Sequence, residues 1–226
     1  MNTTLETIEV HPAAHAVASV IVLHGLGADG TDFLPFADQI DLAAVGPVRW
    51  LLPRAPVRPV TVNNGYRMRA WYDIFAFGAQ SKSPREDDAG LRDSFAAVHA
   101  LIDREVARGV PAHRIVLGGF SQGCAVTLGA GLRYPARLAG LVGMSGYLPL
   151  AASTAAERRD ANALAPVFLA HGQRDAVIGL DRGIATRDAL KALGMSVEWH
   201  DYPMEHSVSA EEVADLQRFL QRVLAS

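Results

Sequence analysis

The stretch "RIVLGGFSQGCAVTLGAGLRY", residues 114–134, joins an apolar, strand-like run to a run that can form a helix. Gly119-Phe120-Ser121-Gln122-Gly123 sits on the joint with the spacing G-x-S-x-G. A chain turning that sharply from strand to helix holds the central serine in a strained backbone conformation, hydroxyl outward. Side chains two before and two after the serine would collide, which favours glycine at both places. An ordinary glycine-rich turn fits the five letters as well as a nucleophile does. The rest of the chain has to decide.

Further short apolar runs recur at 16–23, 48–53, 138–145, 166–171 and 195–202. Most are continuous rather than alternating, as strands buried on both faces of a parallel sheet require. Helical patterns lie between them. Residues 87–109 place Leu91, Phe95, Val98, Leu101, Ile102 and Val106 at helical spacing before Gly109. Residues 179–194 read similarly and stop at Gly194; in 209–226, Ser209 and Glu212 form a capping box. Strands alternating with helices predict an α/β fold with a mainly parallel central sheet flanked by helices. Residues 54–86 and 149–163 read as excursions outside the sheet. No linker interrupts the chain, so 1–226 is expected to be a single domain.

Composition narrows the partners. The 226 residues carry 21 basic and 24 acidic side chains, a formal net charge of −3, with no block of like charge. That recommends neither nucleic acid nor an anionic membrane surface. Half the residues are hydrophobic, yet no apolar run approaches the roughly 20 residues that span a bilayer. Cys124 is the single cysteine, which excludes an internal disulfide. The opening "MNTTLETIEV" lacks a signal-peptide pattern. A cytoplasmic protein without stable membrane insertion is expected.

A serine nucleophile needs a base, and the elbow predicts the chain order Ser, then Asp or Glu, then His. His11, His15, His24, His99 and His113 precede Ser121. His200 lies inside the last strand run, and His171 ends a strand against Gly172, which suits packing roles. His206, in "YPMEHSV", follows the last strand on a loop leading to the final helix. Asp175, in "HGQRDAVIG", follows the strand before it, at the same sheet edge. A carboxylate there would hold the imidazole tautomer and stabilise the imidazolium. Donors for a developing oxyanion would be the backbone N–H of Gln122 and of Leu26, in "HGLGADG" after an early strand. Neither G-x-G-x-x-G nor a Walker lysine follows that strand, H-E-x-x-H is absent, and one cysteine cannot form a Cys-based zinc site. No metal and no cofactor are expected. Cys124 reads as a small buried side chain.

"HGLGADGTDF", "LPRAPVRPVTVNNGYRMRAWYDI", "GGFSQGCAV", "HGQRDAVI" and "YPMEHSV" together resemble the phospholipase/carboxylesterase family of α/β-hydrolases, over nearly the whole chain. The resemblance implies an α/β-hydrolase fold with little or no lid. It carries catalytic roles onto Ser121, Asp175 and His206, oxyanion roles onto the amides of Leu26 and Gln122, and a place near the acyl groove onto Trp71. Trp71, Tyr72 and Phe75 fit equally well as a hydrophobic cluster under a long loop. The stretch 58–74 looks more like the small bacterial carboxylesterases than the acyl-protein thioesterases. A carboxylesterase acting on small-molecule esters is therefore expected first, a thioesterase or lysophospholipase second, a non-catalytic binding protein last. A homodimer stays open. Two letters depart from the family pattern: Cys124 and Glu205 stand where glycine is usual.

Overall fold

The computed structural model describes residues 5–11, 15–76 and 86–225. Its main sheet collects β1 (Thr7–Val10), β2 (Ala18–Leu23), β3 (Val48–Pro53), β6 (Ile115–Phe120), β7 (Gly140–Met144), β8 (Val167–Gly172) and β9 (Val197–Tyr202). The remaining strands, β4 (Val57–Val60) and β5 (Tyr66–Arg69), form a separate antiparallel hairpin inside the excursion at 54–86. The main sheet has the order β1-β3-β2-β6-β7-β8-β9. Only β1 runs antiparallel to its neighbour.

The helices are α1 (Leu34–Gln39), α2 (Asp88–Ala107), α3 (Gln122–Arg133), α4 (Ala151–Glu157), α5 (Leu180–Ala192) and α6 (Ala210–Leu224). They cover both sheet faces. Along β2, Ile21 and Leu23 pack into a core shared with α2, α3 and α5, while Val20 and Val22 face α1 and α6. Burial on both faces is why the strands read as unbroken apolar runs. α2 matches the expected helix, with Asp87 accepting the Gly90 amide at its start and Gly109 at φ 97° beyond its end. Val106, expected on its buried stripe, is instead exposed.

Strand order fixes where a ligand can sit. The chain leaves β2 for β3 on one side and returns to β6 on the other. Loops leaving adjacent strands in opposite directions open a crevice at the strands' carboxyl ends. Here that crevice lies between the loop after Leu23 and the turn at Ser121. Among the described residues no helix is long and apolar enough to cross a membrane.

α6 departs from its expected cap. Ser209 Oγ accepts the Glu212 amide at 3.2 Å, but the Glu212 carboxyl closes no well-formed hydrogen bond in return and is fully buried. Burial pushes its pKa from about 4.5 up to about 8, with the Ser209 amide opposing the shift. The folded protein then binds the Glu212 proton where the unfolded chain has released it, so stability falls as pH rises from about 4.5 through about 8. Glu212→Gln keeps the shape and removes the titration. It should melt close to the parent at pH 4.5 and above it at pH 9, by a few kcal/mol in order of magnitude. Melting curves across that range check this; parallel curves for the two proteins would refute it.

Candidate active site

The turn at Ser121 has the strained geometry its spacing predicts. Ser121 lies at φ 55°, ψ −116° between β6 and α3, a region that costs a side-chain-bearing residue about 1–3 kcal/mol. Its amide donates to Met144 O at 2.9 Å, tying the elbow to β7. The two motif glycines are explained separately. A Cβ on Gly119 would stand 2.4 Å from Gly123 O, and one on Gly123 would stand 2.1 Å from Leu23 O. The elbow is thus wedged against the end of β2, and no side chain fits between.

Three side chains meet there. His206 Nε2 lies 2.8 Å from Ser121 Oγ, and His206 Nδ1 lies 2.6 Å from Asp175 Oδ2. A carboxylate oxygen only accepts, so Nδ1 carries the proton and Nε2 faces the serine hydroxyl as acceptor. Asp175 is pinned in turn, because Oδ1 accepts the amides of Val177 and Ile178 at 2.9 and 2.8 Å. Its side chain is fully buried. The Phe120 ring packs on the imidazole, centroids 4.8 Å apart.

The two loops bearing Asp175 and His206 are stitched by backbone bonds, Gln173 N to Tyr202 O and Arg174 N to Met204 O. Gly172 lets them close: a Cβ there would stand 2.3 Å from Glu205 O. Glu205 itself is exposed. Cys124 is buried with room supplied from β7's end, since Cβ atoms on Gly143 and Gly146 would fall 2.9 and 2.6 Å from its Sγ. Burial pushes its thiol up to about 12. A side chain larger than hydrogen at 124 is therefore accommodated by glycines across from it, and the thiol is no nucleophile at neutral pH.

The loop after β2 faces the serine. A Cβ on Gly25 would stand 3.4 Å from Ser121 Cβ. Tie points flank Leu26: Gly27 N donates to Arg69 O at 2.8 Å and Ala28 N to Gly25 O at 3.3 Å. On the other side α3 makes its first helical bond from Ala125 N to Ser121 O. The Gln122 amide precedes that bond, and such first-turn amides have no acceptor within their own helix. Leu26 and Gln122 both line the cavity beside Ser121.

Trp71 corrects the expectation placed on it. It is fully buried and does not line the cavity. Instead it braces the loop: its Nε1 donates to His24 O at 2.9 Å, and its amide donates to Gln122 Oε1 at 2.8 Å. Gln122 Nε2 donates to Tyr72 O at 2.8 Å, so one amide side chain clamps the segment 71–72 to the elbow. His24, passed over for its place in the chain, accepts the Ala55 amide at Nε2 and so donates from Nδ1 to Gly25 O. Burial lowers its pKa and keeps it neutral. These three side chains hold both candidate oxyanion amides in place. Apart from Gly25, their partners lie 31 to 51 residues away, and no local pattern announces them.

The cavity has a volume of about 540 Å³ and opens over the serine. It straddles the sheet edge. Phe33, Phe36, Phe120 and Val208 wall one arm from the α1/α6 face. Tyr72, Ile74 and Tyr147 wall the other from the α2/α3/α5 face. Among the described residues no group of three or more His, Cys, Asp or Glu is placed to hold a metal.

An elbow serine at the end of a parallel strand, with His and Asp following in chain order on the next loops of the same edge, defines an α/β-hydrolase and a serine hydrolase. The family described as Phospholipase/Carboxylesterase matches residues 5–224, and the chain belongs to it. The chain is 38% identical, over all of both chains, to Acyl-protein thioesterase 1 of Schizosaccharomyces pombe. It is 40% identical to Acyl-protein thioesterase 1 of Neurospora crassa, over 93% of this chain and 89% of that one. The crystal structure of Arabidopsis thaliana SOBER1 superposes with a TM-score of 0.86 at 32% identity, covering 92% of this chain and 99% of that one. These relatives favour the thioesterase alternative over the small-ester reading that the stretch 58–74 suggested.

Proposed function

We propose that the protein hydrolyses the thioester bonds of acylated proteins, the activity its relatives' name describes, through Ser121, His206 and Asp175. The observation that carries the reading is the unbroken chain of hydrogen bonds from Asp175 through His206 to Ser121 Oγ beside a cavity walled in part by Phe33, Phe36, Phe120 and Val208. In this reading Ser121 Oγ attacks the acyl carbonyl as His206 Nε2 takes its proton. The Leu26 and Gln122 amides receive the developing oxyanion, a contribution typically near 3 kcal/mol per donor. The tetrahedral adduct collapses, the C–S bond breaks, and His206 returns the proton to the leaving thiol. Water, activated by the same imidazole, then releases the carboxylic acid and frees Ser121. Phe33, Phe36, Phe120 and Val208 supply apolar surface for an acyl chain.

The test is a matched series of thioesters and oxygen esters of increasing acyl length, beside labelling with a fluorophosphonate probe. Each methylene buried is worth about 0.8 kcal/mol, so kcat/KM should climb by up to about fourfold per added carbon until the cavity is full. Thioesters should lead at every length. A lead by short-chain oxygen esters would return the protein to the small-ester carboxylesterases. Failure of the folded protein to take the label at Ser121 would remove the mechanism altogether.

A further inference from the structure

The two arms of the cavity differ in charge. The Phe33/Phe36 arm is apolar apart from Asp32 at its wall. The other arm carries Tyr72, Tyr147, Asp73, Glu86 and Arg182. Asp73 is already engaged, its two oxygens accepting the Thr61 amide and hydroxyl at 2.7 and 2.6 Å. Glu86 turns both oxygens to the Leu150 amide, at 3.2 and 3.0 Å, and burial raises its pKa. The Tyr72 and Tyr147 hydroxyls bond each other at 2.8 Å.

Arg182 is the odd member. Its guanidinium carbon lies over the Tyr147 ring, 3.8 Å from the centroid, and the same group also interacts with the Tyr147 hydroxyl. Among the described residues it has no carboxylate within ion-pair distance. It also stands third in α5, where the helix dipole disfavours a cation. Packing on an aromatic ring fixes a guanidinium, and of its five N–H donors those not taken by the tyrosine remain for capture of an oxyanion. Glu86 feels the Arg182 charge without closing an ion pair on it, so a cation so placed in a substrate-sized cavity is set to receive a charge that the ligand brings.

We propose that Arg182, packed on Tyr147, is a specificity-determining residue whose guanidinium binds a carboxylate or similar oxyanion of the substrate. The proposal rests on the hydrolase reading above and names the substrate class it favours: acyl compounds bearing an anionic group within reach of the scissile carbonyl. That group can sit on the acyl chain or on the leaving group, and the two sources are separable.

Three substrates test it: para-nitrophenyl butyrate, mono-para-nitrophenyl glutarate with the carboxylate on the acyl side, and para-carboxyphenyl butyrate with it on the leaving side. The readout is kcat/KM for each anionic ester divided by that for the neutral ester of the same series. In the parent enzyme at least one ratio should exceed that of Arg182→Gln by tenfold or more. Arg182→Lys should recover part of the difference, and the preference should shrink as salt rises from low to high. Whichever ratio moves identifies the source. A merely structural Arg182 would lower all three rates together and leave both ratios fixed, which overturns the proposal while leaving the hydrolase reading intact. No turnover of any ester or thioester by the folded parent would instead sink the hydrolase reading, and the proposal with it.

Discussion

Ser121→Gly should melt above Ser121→Ala, with both variants inactive. Each loses the hydroxyl and its bond to His206, so they differ only in the Cβ. At φ 55°, ψ −116° that Cβ carries strain worth about 1–3 kcal/mol, which glycine does not feel. Glycine's freer unfolded chain takes back about 0.5–1 kcal/mol. The balance favours glycine by about 1 kcal/mol, or roughly 2–4 °C in a chain of this size. Turnover should fall by about a millionfold in both, the scale seen when a triad serine is removed. Differential scanning calorimetry and steady-state rates on the two variants check both halves. An alanine variant at least as stable as the glycine one would mean the elbow stores no strain. Retained turnover would place the nucleophile elsewhere.

Asp175→Asn should cost about 10⁴ in kcat while leaving the fold in place. The hydrogen bonds dictate why. Oδ1 holds two backbone amides, from Val177 and Ile178, so the asparagine oxygen takes that side. Its NH2 then faces His206 Nδ1, which accepted no donor before. The imidazole must present a lone pair there and carry its proton on Nε2. It can no longer take the Ser121 proton, although every heavy atom stays where it was. A stopped assay with a sensitive chromogenic ester, together with unchanged circular dichroism, would establish this. A loss under tenfold would show that Asp175 does not set the tautomer.

Both results turn on residues that the sequence marks, and the reason is physical. Ser121 sits in a stretch where two glycines are forced by backbone contacts, so the constraint is written locally. Asp175 and His206 each follow a recognisable strand, and parallel strands end at one edge, so chain order and strand count place them together. Trp71 shows the limit of that logic. Its aromatic neighbours in sequence fit a hydrophobic cluster, and the family resemblance implied a place near the groove; whether the ring faces the cavity or the loop behind it is decided by His24 O, 47 residues away. The same holds for Cys124. The family resemblance implied glycine there, and what makes room for sulfur is Gly143 on the neighbouring strand and Gly146 just beyond its end. Glu212 was legible as a capping residue, but its burial and shifted titration depend on how α6 lies on the sheet.

The sequence by itself determined the alternation of strand and helix, the strained elbow at Ser121 and the order serine, aspartate, histidine. All three follow from contacts within a few residues or from the rule that parallel strands share an edge. Only the tertiary structure decided the strand order that opens the crevice between β2 and β6. It likewise decided the clamp of Gln122 and Trp71 on the oxyanion loop and the division of the cavity into an apolar arm and an arm bearing Arg182. Those depend on which distant surfaces pack together, and packing is settled by the whole core at once.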